Sequence, residues 1–576
     1  MPRFAPAVVL VVLVLMLANC NRFWHPSTEE ISTAIEHETS SRAAPKYVTE
    51  GVKHSPRVWK MLQRLYDKRH YKPLWTGDQH LSIQDVVSYL CRADEEGLNP
   101  GNYHLNAVRR LNEAAYENVQ LNSEERAVRM AQLELTVTYA LITYGSHLRN
   151  GYARPKWDVD RRDPAQVDDV LLKVTDPDGL KEAFAGLLPR HVQYQELKQA
   201  LRQYRDIAER GGWASLSRDS TTDELADRLQ QTGDLAAPAR GAAVKPQELL
   251  AGLKHFQRRH GLPETGKLDE KTLAAINVPV QNRVRQIEIN LERWRWLPQD
   301  LGSRYILVNV PAFELNGFED GRPVIKMPVV VGKEFKPTPL FSDRMTYIVL
   351  NPSWSVPESI AREEVLPRLQ TDPEYLVRND LEVLPPEGNE VVDASSIDWT
   401  DLDAEAVEYR FRQRPGDENS LGRIKFMFPN QFDVYLHDTP AEQLFKRTRR
   451  DFSHGCVRVS KPLDLAAWVL QDSSEWTREK LAEEMSGAIK PTVEEQEREG
   501  EEREEEEGEE ETPEETIKLP RPLPVYILYW TAWVQDDKTV SFRDDVYDED
   551  KTLLRSMPAQ VARSANAKQV CEQIFD

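Results

Sequence analysis

The hydrophobic period of this chain changes once, near Tyr305, and that change decides what it can fold into. Upstream, Val58, Leu62, Leu65 and Tyr66, and later Ala127, Met130, Leu133, Leu135, Tyr139 and Leu141, recur at helical spacing, as on one face of a 3.6-residue repeat. Downstream, YILVNVPAFEL (305–315), VIKMPVVVG (324–332) and MTYIVLNP (345–352) approach a period of two and are bounded by Gly and Pro. Their β-branched and aromatic content reads as strands. IKFMF (424–428), Asp433–Leu436 and PVYILYWTAWV (524–534) continue that pattern. A chain of 576 residues exceeds one core, and its length corresponds to about three or four domains. The expected fold class is multidomain α+β, a mainly helical part followed by a mainly β domain with a few helices.

Local signals set the boundaries. In residues 1–20, Arg3 precedes an apolar run from Ala7 to Ala18, the length of an export-signal core and short for a membrane span. It ends in Leu17-Ala18-Asn19-Cys20, which resembles a lipoprotein box, so a lipidated Cys20 and an uncleaved anchor both stay open. Residues 21–47 are polar and read as a tether, and 48–240 as a helical scaffold. Residues 241–283 form a compact unit. Its first helix carries a stripe of Leu249, Leu250, Leu253 and Phe256, and Asp269 stands where a helix N-cap belongs. A linking helix follows within 284–302, with Val284, Ile287, Leu291 and Trp294 at steps of 3, 4 and 3 and a stop at Leu297-Pro298. The β domain is placed at 303–550, with a charged insertion at 362–410 holding Tyr375 and Trp399, and 551–576 is a tail. The net charge of -21 is mostly local: 494–515 carries 15 Glu against two Arg, so about 491–518 is expected to be a solvated, self-repelling insertion. The rest is only mildly acidic, which excludes a nucleic-acid surface.

Of the cysteines, Cys20, Cys91, Cys456 and Cys571, none forms a CxxC pair. Neither a zinc site nor a disulfide-stapled scaffold is indicated, although a bridge between two of them stays open. Cys456 lies in Ser453-His454-Gly455-Cys456, just before a short strand at Val457–Val459, and His437-Asp438 ends another strand. Of 12 histidines, only His437 and His454 lie beyond residue 260. The β domain therefore offers two candidate bases, both close in sequence to its only cysteine before the tail. A lone His or Cys is usually structural, but this clustering favours nucleophilic chemistry. That chemistry needs a thiolate, a nearby base and donors for an oxyanion, and Gly455 permits the tight turn that would aim such donors.

A histidine, a spacer of about fifteen residues and SHGC followed by an apolar residue and Arg resemble the active-site signature of the L,D-transpeptidase (YkuD-type) catalytic domain. NVPAF (309–313), Val331-Gly332, TPLFS (338–342) and NPSWSVP (351–357) match the same domain, and LKHFQRRHGLPETGKLDEKTLAAIN (253–277) resembles a peptidoglycan-binding domain. The order of scaffold, binding unit and catalytic domain is similar to that of large Gram-negative members. The resemblance implies Cys456 as nucleophile and His437 as its base. It further implies orientation by the Asp438 position, often through a main-chain carbonyl, His454 as an assisting histidine, and the Gly455 and Cys456 amides as oxyanion donors. Ser453, Tyr435, Arg458 and Trp354 are candidate substrate-binding positions. Tyr435 is a site-lining or a packed strand residue, Arg458 pairs with a substrate carboxylate or with Asp464, and Trp354 is a packing residue or a substrate platform. The 362–410 insertion would cap the cleft and exclude water. No metal or other cofactor is implied.

The implied reaction is acyl transfer between peptidoglycan tetrapeptide stems through a thioester on Cys456, giving 3-3 cross-links. The implied setting is the periplasm of a Gram-negative bacterium, with other cell-wall synthases as candidate partners. Two alternatives use the same residues differently: an L,D-carboxypeptidase or cross-link hydrolase in which water is the acceptor, and a non-catalytic wall-binding scaffold.

Overall fold

A computed structural model describes residues 26–50, 55–76, 82–118, 120–154, 167–174, 176–237, 243–372, 374–399, 409–486, 514–557 and 571. The export segment and the Glu-rich tract from 487 to 513 lie outside the described residues.

The first half is helical. Its centre is a helix at Ser123–Asn150, opened by a capping box in which Asn122 and Glu125 satisfy each other's backbone N–H groups. Buried on nearly every side, this helix gathers the helices at Thr28–Thr39, Pro56–Lys68 and Ile83–Cys91 into one core with Trp59, Tyr66, Leu90 and Tyr144. Its Glu134 is fully buried because the backbone N–H groups of Trp75 and Thr76 and the Tyr66 hydroxyl all donate to it. The last turn of Ile83–Cys91 carries a disulfide to Cys571, 480 residues away in sequence. At the start of the range expected to be a tail, the helix at Glu549–Ser556 packs Leu553, and Met557 just after it, into the core of the β domain.

The small unit contains three helices, not two. Thr222–Gln231 joins Pro246–Arg259 and Glu270–Ile276 around Leu225, Leu229, Leu253, Phe256 and Ile276. Asp269 caps the last helix through a 2.9 Å bond from the Thr272 N–H. The added helix sets which face is inside, and Leu250 of the expected stripe is left 45% exposed.

The linking helix, Val280–Trp296, is buried on its polar side as well as its apolar one. Arg295 pairs with Glu292, both fully buried, and Arg293 pairs with Asp550 of the β domain. Asn290 holds Thr531 through the 3.0 Å Thr531 N–H bond. The helix is a hub with parts of the chain packed on both sides, so its charges needed partners that the apolar stripe could not reveal.

The β domain uses β1 (Arg304–Asn309), β2 (Glu314–Glu319), β3 (Arg322–Gly332) and β4 (Phe341–Leu350). Next come β5 (Trp354–Ser355), β6 (Leu381–Leu384), β7 (Arg410–Gln413), β8 (Ile424–Met427) and β9 (Leu436–His437). The last are β10 (Asp451–Ser453), β11 (Val457–Val459) and β12 (Glu515–Leu528), before a hairpin of β13 (Ala532–Val534) and β14 (Val540–Phe542). The main order is β10-β3-β11-β9-β8-β4-β12-β1-β2, and β2 also pairs with β3, so the sheet closes on itself. β12 begins at Glu515, inside the range expected for the acidic insertion, and fills the gap between β4 and β1. Strands β5, β7 and β6 form a separate small sheet. With the short helices between 358 and 378 it has its own core of Val356, Leu366, Leu369, Trp399 and Phe411.

Candidate active site

The site forms where β9 and β11 lie side by side and parallel, with Leu436 opposite Val457 and His437 opposite Arg458. Side chains alternate along strands. Leu436, Val457 and Val459 enter the barrel core, so Tyr435, His437, Cys456 and Arg458 share the other face. Cys456 is the free cysteine among the described residues, since the disulfide takes Cys91 and Cys571.

His437 is 4% exposed, and its Nδ1 donates to the Asp438 carbonyl at 2.6 Å. This leaves Nε2 as an unprotonated acceptor. Burial, and then the charge of Arg458, depress the imidazole to about 3, so the ring is neutral. The Asp438 carboxylate plays no part in that orientation: it turns away and accepts the Arg423 N–H at 2.9 Å. Gly422 makes room for it, since a Cβ there would lie 2.3 Å from the carboxylate. Burial raises the Asp438 carboxyl.

The Cys456 thiol donates to the Asp433 carbonyl at 3.8 Å. Burial pushes its pKa up, while the Tyr435 backbone N–H and hydroxyl pull it down, followed by Arg458. Tyr435 is therefore more than strand packing, because its polar groups favour charge on the sulfur; burial and the sulfur's charge raise the phenol. Asp433 adopts a left-handed φ of 52°. Asn430 holds that bend by donating to the carbonyls of Phe428 and Val434, each at 2.7 Å.

The turn between β10 and β11 wraps the end of β3. Ser453 is 2% exposed; its hydroxyl donates to the Cys456 carbonyl at 2.6 Å and accepts the Gly455 N–H at 3.2 Å. Two expectations change as a result. Ser453 is a buried brace for the turn, not a substrate contact, and the Gly455 amide is already engaged. The Cys456 amide donates to no protein group among the described residues. Gly455 sits at φ 126°, a conformation that a side chain would strain. Thr338, 1% exposed, accepts the Gly332 N–H at 2.9 Å and donates to the Gly455 carbonyl at 2.7 Å. Tyr547 donates to the Gly332 carbonyl at 2.5 Å. Thr338 stood in a quoted sequence element without a role, and nothing in the sequence pointed to Tyr547.

Asp464 pairs with Arg478 at 2.6 Å, so the Arg458–Asp464 pairing does not form. The Nε of Arg458 is buried without a hydrogen-bond partner. Trp354 packs against the core of the small sheet and lies beside Tyr435. His454 Nε2 donates to Glu364 of that insertion at 2.7 Å.

The closed β domain, with a cysteine and a histidine on one face of adjacent strands, lies in the region that is similar to a YkuD-type L,D-transpeptidase catalytic domain, and it follows regions similar to a scaffold domain and a peptidoglycan-binding domain. Residues 303–488 match the family model "L,D-transpeptidase catalytic domain" (YkuD), residues 60–201 "Scaffold domain" and residues 220–276 "Putative peptidoglycan binding domain". The chain is 32% identical over 272 residues to a "Putative L,D-transpeptidase" of Haemophilus influenzae. That match covers 47% of this chain, which spans 49% of the relative's length. β12 and Tyr547, which complete the barrel and the site, lie beyond the matched catalytic region.

Proposed function

We propose that this chain is an L,D-transpeptidase that joins peptidoglycan stems by 3-3 cross-links through a thioester on Cys456. One observation carries the reading: Cys456 and His437 emerge on one face of adjacent parallel strands, with His437 Nδ1 tied to the Asp438 carbonyl. The Nε2 lone pair is thereby left for a thiol proton.

In this mechanism the thiol leaves the Asp433 carbonyl and its proton passes to His437 Nε2 as sulfur attacks the carbonyl carbon of the donor stem's third residue. The tetrahedral oxyanion is received by the Cys456 N–H. Losing such a donor typically costs about 3 kcal/mol of barrier. As the tetrahedral species collapses, the C–N bond to the terminal D-residue breaks and the Nε2 proton moves to the departing amine. An acceptor stem's side-chain amine then attacks the thioester, gives a proton to His437 and releases the thiolate. The Tyr435 hydroxyl and N–H stabilise sulfur whenever it carries charge. The insertion standing over His454 keeps water from the thioester, which favours the amine acceptor.

Export to the cell envelope belongs to the same proposal. The Cys91–Cys571 bridge suits an oxidising compartment. The test is incubation of the protein with disaccharide-tetrapeptide and tandem mass spectrometry of the products. Stem dimers with loss of D-alanine are expected. Tripeptide alone assigns water as the acceptor, and unchanged substrate refutes the reading.

A further inference from the structure

Two cations and a histidine on the barrel side meet the insertion: Lys336 in the β3–β4 loop, His454 and Arg458. Two adjacent carboxylates of the insertion face them from a widened helical turn, Ala361–Val365. Glu363 binds Lys336, and Glu364 accepts from His454 Nε2 at 2.7 Å. Glu364 is also a charge neighbour of Arg458. Arg458 itself lacks a salt bridge among the described residues, and its Nε is buried and unpartnered. His454 and Arg458 stand two residues to either side of the nucleophile in sequence, and Arg458 has both Cys456 and Glu364 as charge neighbours. The insertion is packed around its own core, separate from that of the barrel. Moving Glu364 therefore breaks ion pairs without opening a hydrophobic interior.

We propose that His454 and Arg458 form a carboxylate subsite for the donor peptide, and that Glu364 of the insertion occupies it as a built-in competitor until substrate displaces it. This rests on the transpeptidase reading and specifies which donors the same site accepts. A donor stem carries suitable groups close by: the carboxylate of the leaving D-residue lies three bonds from the scissile carbonyl carbon, and side-chain carboxylates sit on the residues before it. A carboxylate entering the subsite releases Glu364 to solvent, and the cap re-forms over the occupied cleft. An uncharged donor has nothing to exchange for the Glu364 contact. Glu364 is thus a specificity residue acting through His454 and Arg458.

The experiment measures steady-state release of the terminal residue, as D-alanine or, from the C-terminally amidated donor, as D-alaninamide, by the full chain and by E364Q and E364D. Three tetrapeptide donors are used: unmodified, amidated at the C-terminus, and amidated on side chains. For the unmodified donor, E364Q should lower KM about five- to tenfold, the range for one partly exposed charged contact, with kcat within twofold. E364D should stay near wild type. Amidation of the carboxylate that occupies the subsite should abolish the E364Q advantage, which tells the leaving-residue group from a side-chain group. An unchanged KM in E364Q overturns the proposal. So does an equal fall for all three donors, which would show general loosening of the cap. If the wild type releases no terminal residue from any donor, the transpeptidase reading falls and takes the proposal with it.

Discussion

The hydroxyl of Thr338 offers the sharpest test of how the nucleophile's turn is aimed. It donates to the Gly455 carbonyl at 2.7 Å and accepts from Gly332 at 2.9 Å in a pocket where Thr338 is 1% exposed. The Gly455 carbonyl and the Cys456 N–H belong to one rigid peptide plane and point in opposite directions. Fixing the carbonyl inward therefore turns the amide outward, towards the place where an oxyanion would form. Thr338→Val keeps the side chain's shape but leaves a buried carbonyl and a buried N–H unsatisfied. At roughly 1–3 kcal/mol for each such group, folding should weaken by about 2–6 kcal/mol. Acylation should slow as well, because an unanchored plane holds the amide less well. A loss of about 1.5–3 kcal/mol, part of what a whole oxyanion donor supplies, corresponds to roughly a ten- to hundredfold lower rate. Thermal melting gives the first quantity, and the rate of carbapenem adduct formation, followed by mass spectrometry, gives the second. Thr338→Ser should recover most of both. A Thr338→Val protein that melts lower yet acylates at the wild-type rate would refute the peptide-plane argument.

Other outcomes follow from the site. C456A should gain no carbapenem adduct; an adduct on that variant would rule out this nucleophile. D438N should keep its rate within about fivefold, because the carbonyl and not the carboxylate orients His437, whereas H437A should lose about 100-fold or more; equal losses would reverse that assignment. Protonation disables His437 as a base, and its pKa near 3 keeps it neutral well into acid. Acylation rates should then show no inflection near pH 6.5, and R458Q, by removing a cation that lowers the imidazole, should move the acid limb upward. Replacing Cys91 and Cys571 by Ser should lower thermal stability by up to about 5 kcal/mol for so long a loop, with little change in acylation.

Helical and strand regions, the SHGC turn and the paired His437 were legible because each is written in local pattern or short spacing. Periodicity also found the linking helix, but it recorded only the apolar stripe. Arg293 and Arg295 on its other side are buried against Asp550 and Glu292, and the Asp550 partner lies far off in sequence. Thr338, Tyr547 and Glu364 escaped for the same reason, each acting on the site from a separate segment. Ser453 was misread because a hydroxyl beside a nucleophile looks available until its two internal hydrogen bonds are seen. The disulfide joins residues 480 apart, and no spacing rule reaches that far.

The position of β12 in the barrel bears on how such a protein matures. β1 and β4 are made early, yet the strand between them comes from residues 515–528. Until those residues leave the ribosome, both neighbours present unpaired edges, which invite aggregation, and ring closure waits on a contact spanning some two hundred residues. A product truncated before that strand would carry the cysteine and histidine but no finished cleft. Assembly of the candidate site is in this way coupled to synthesis through β12.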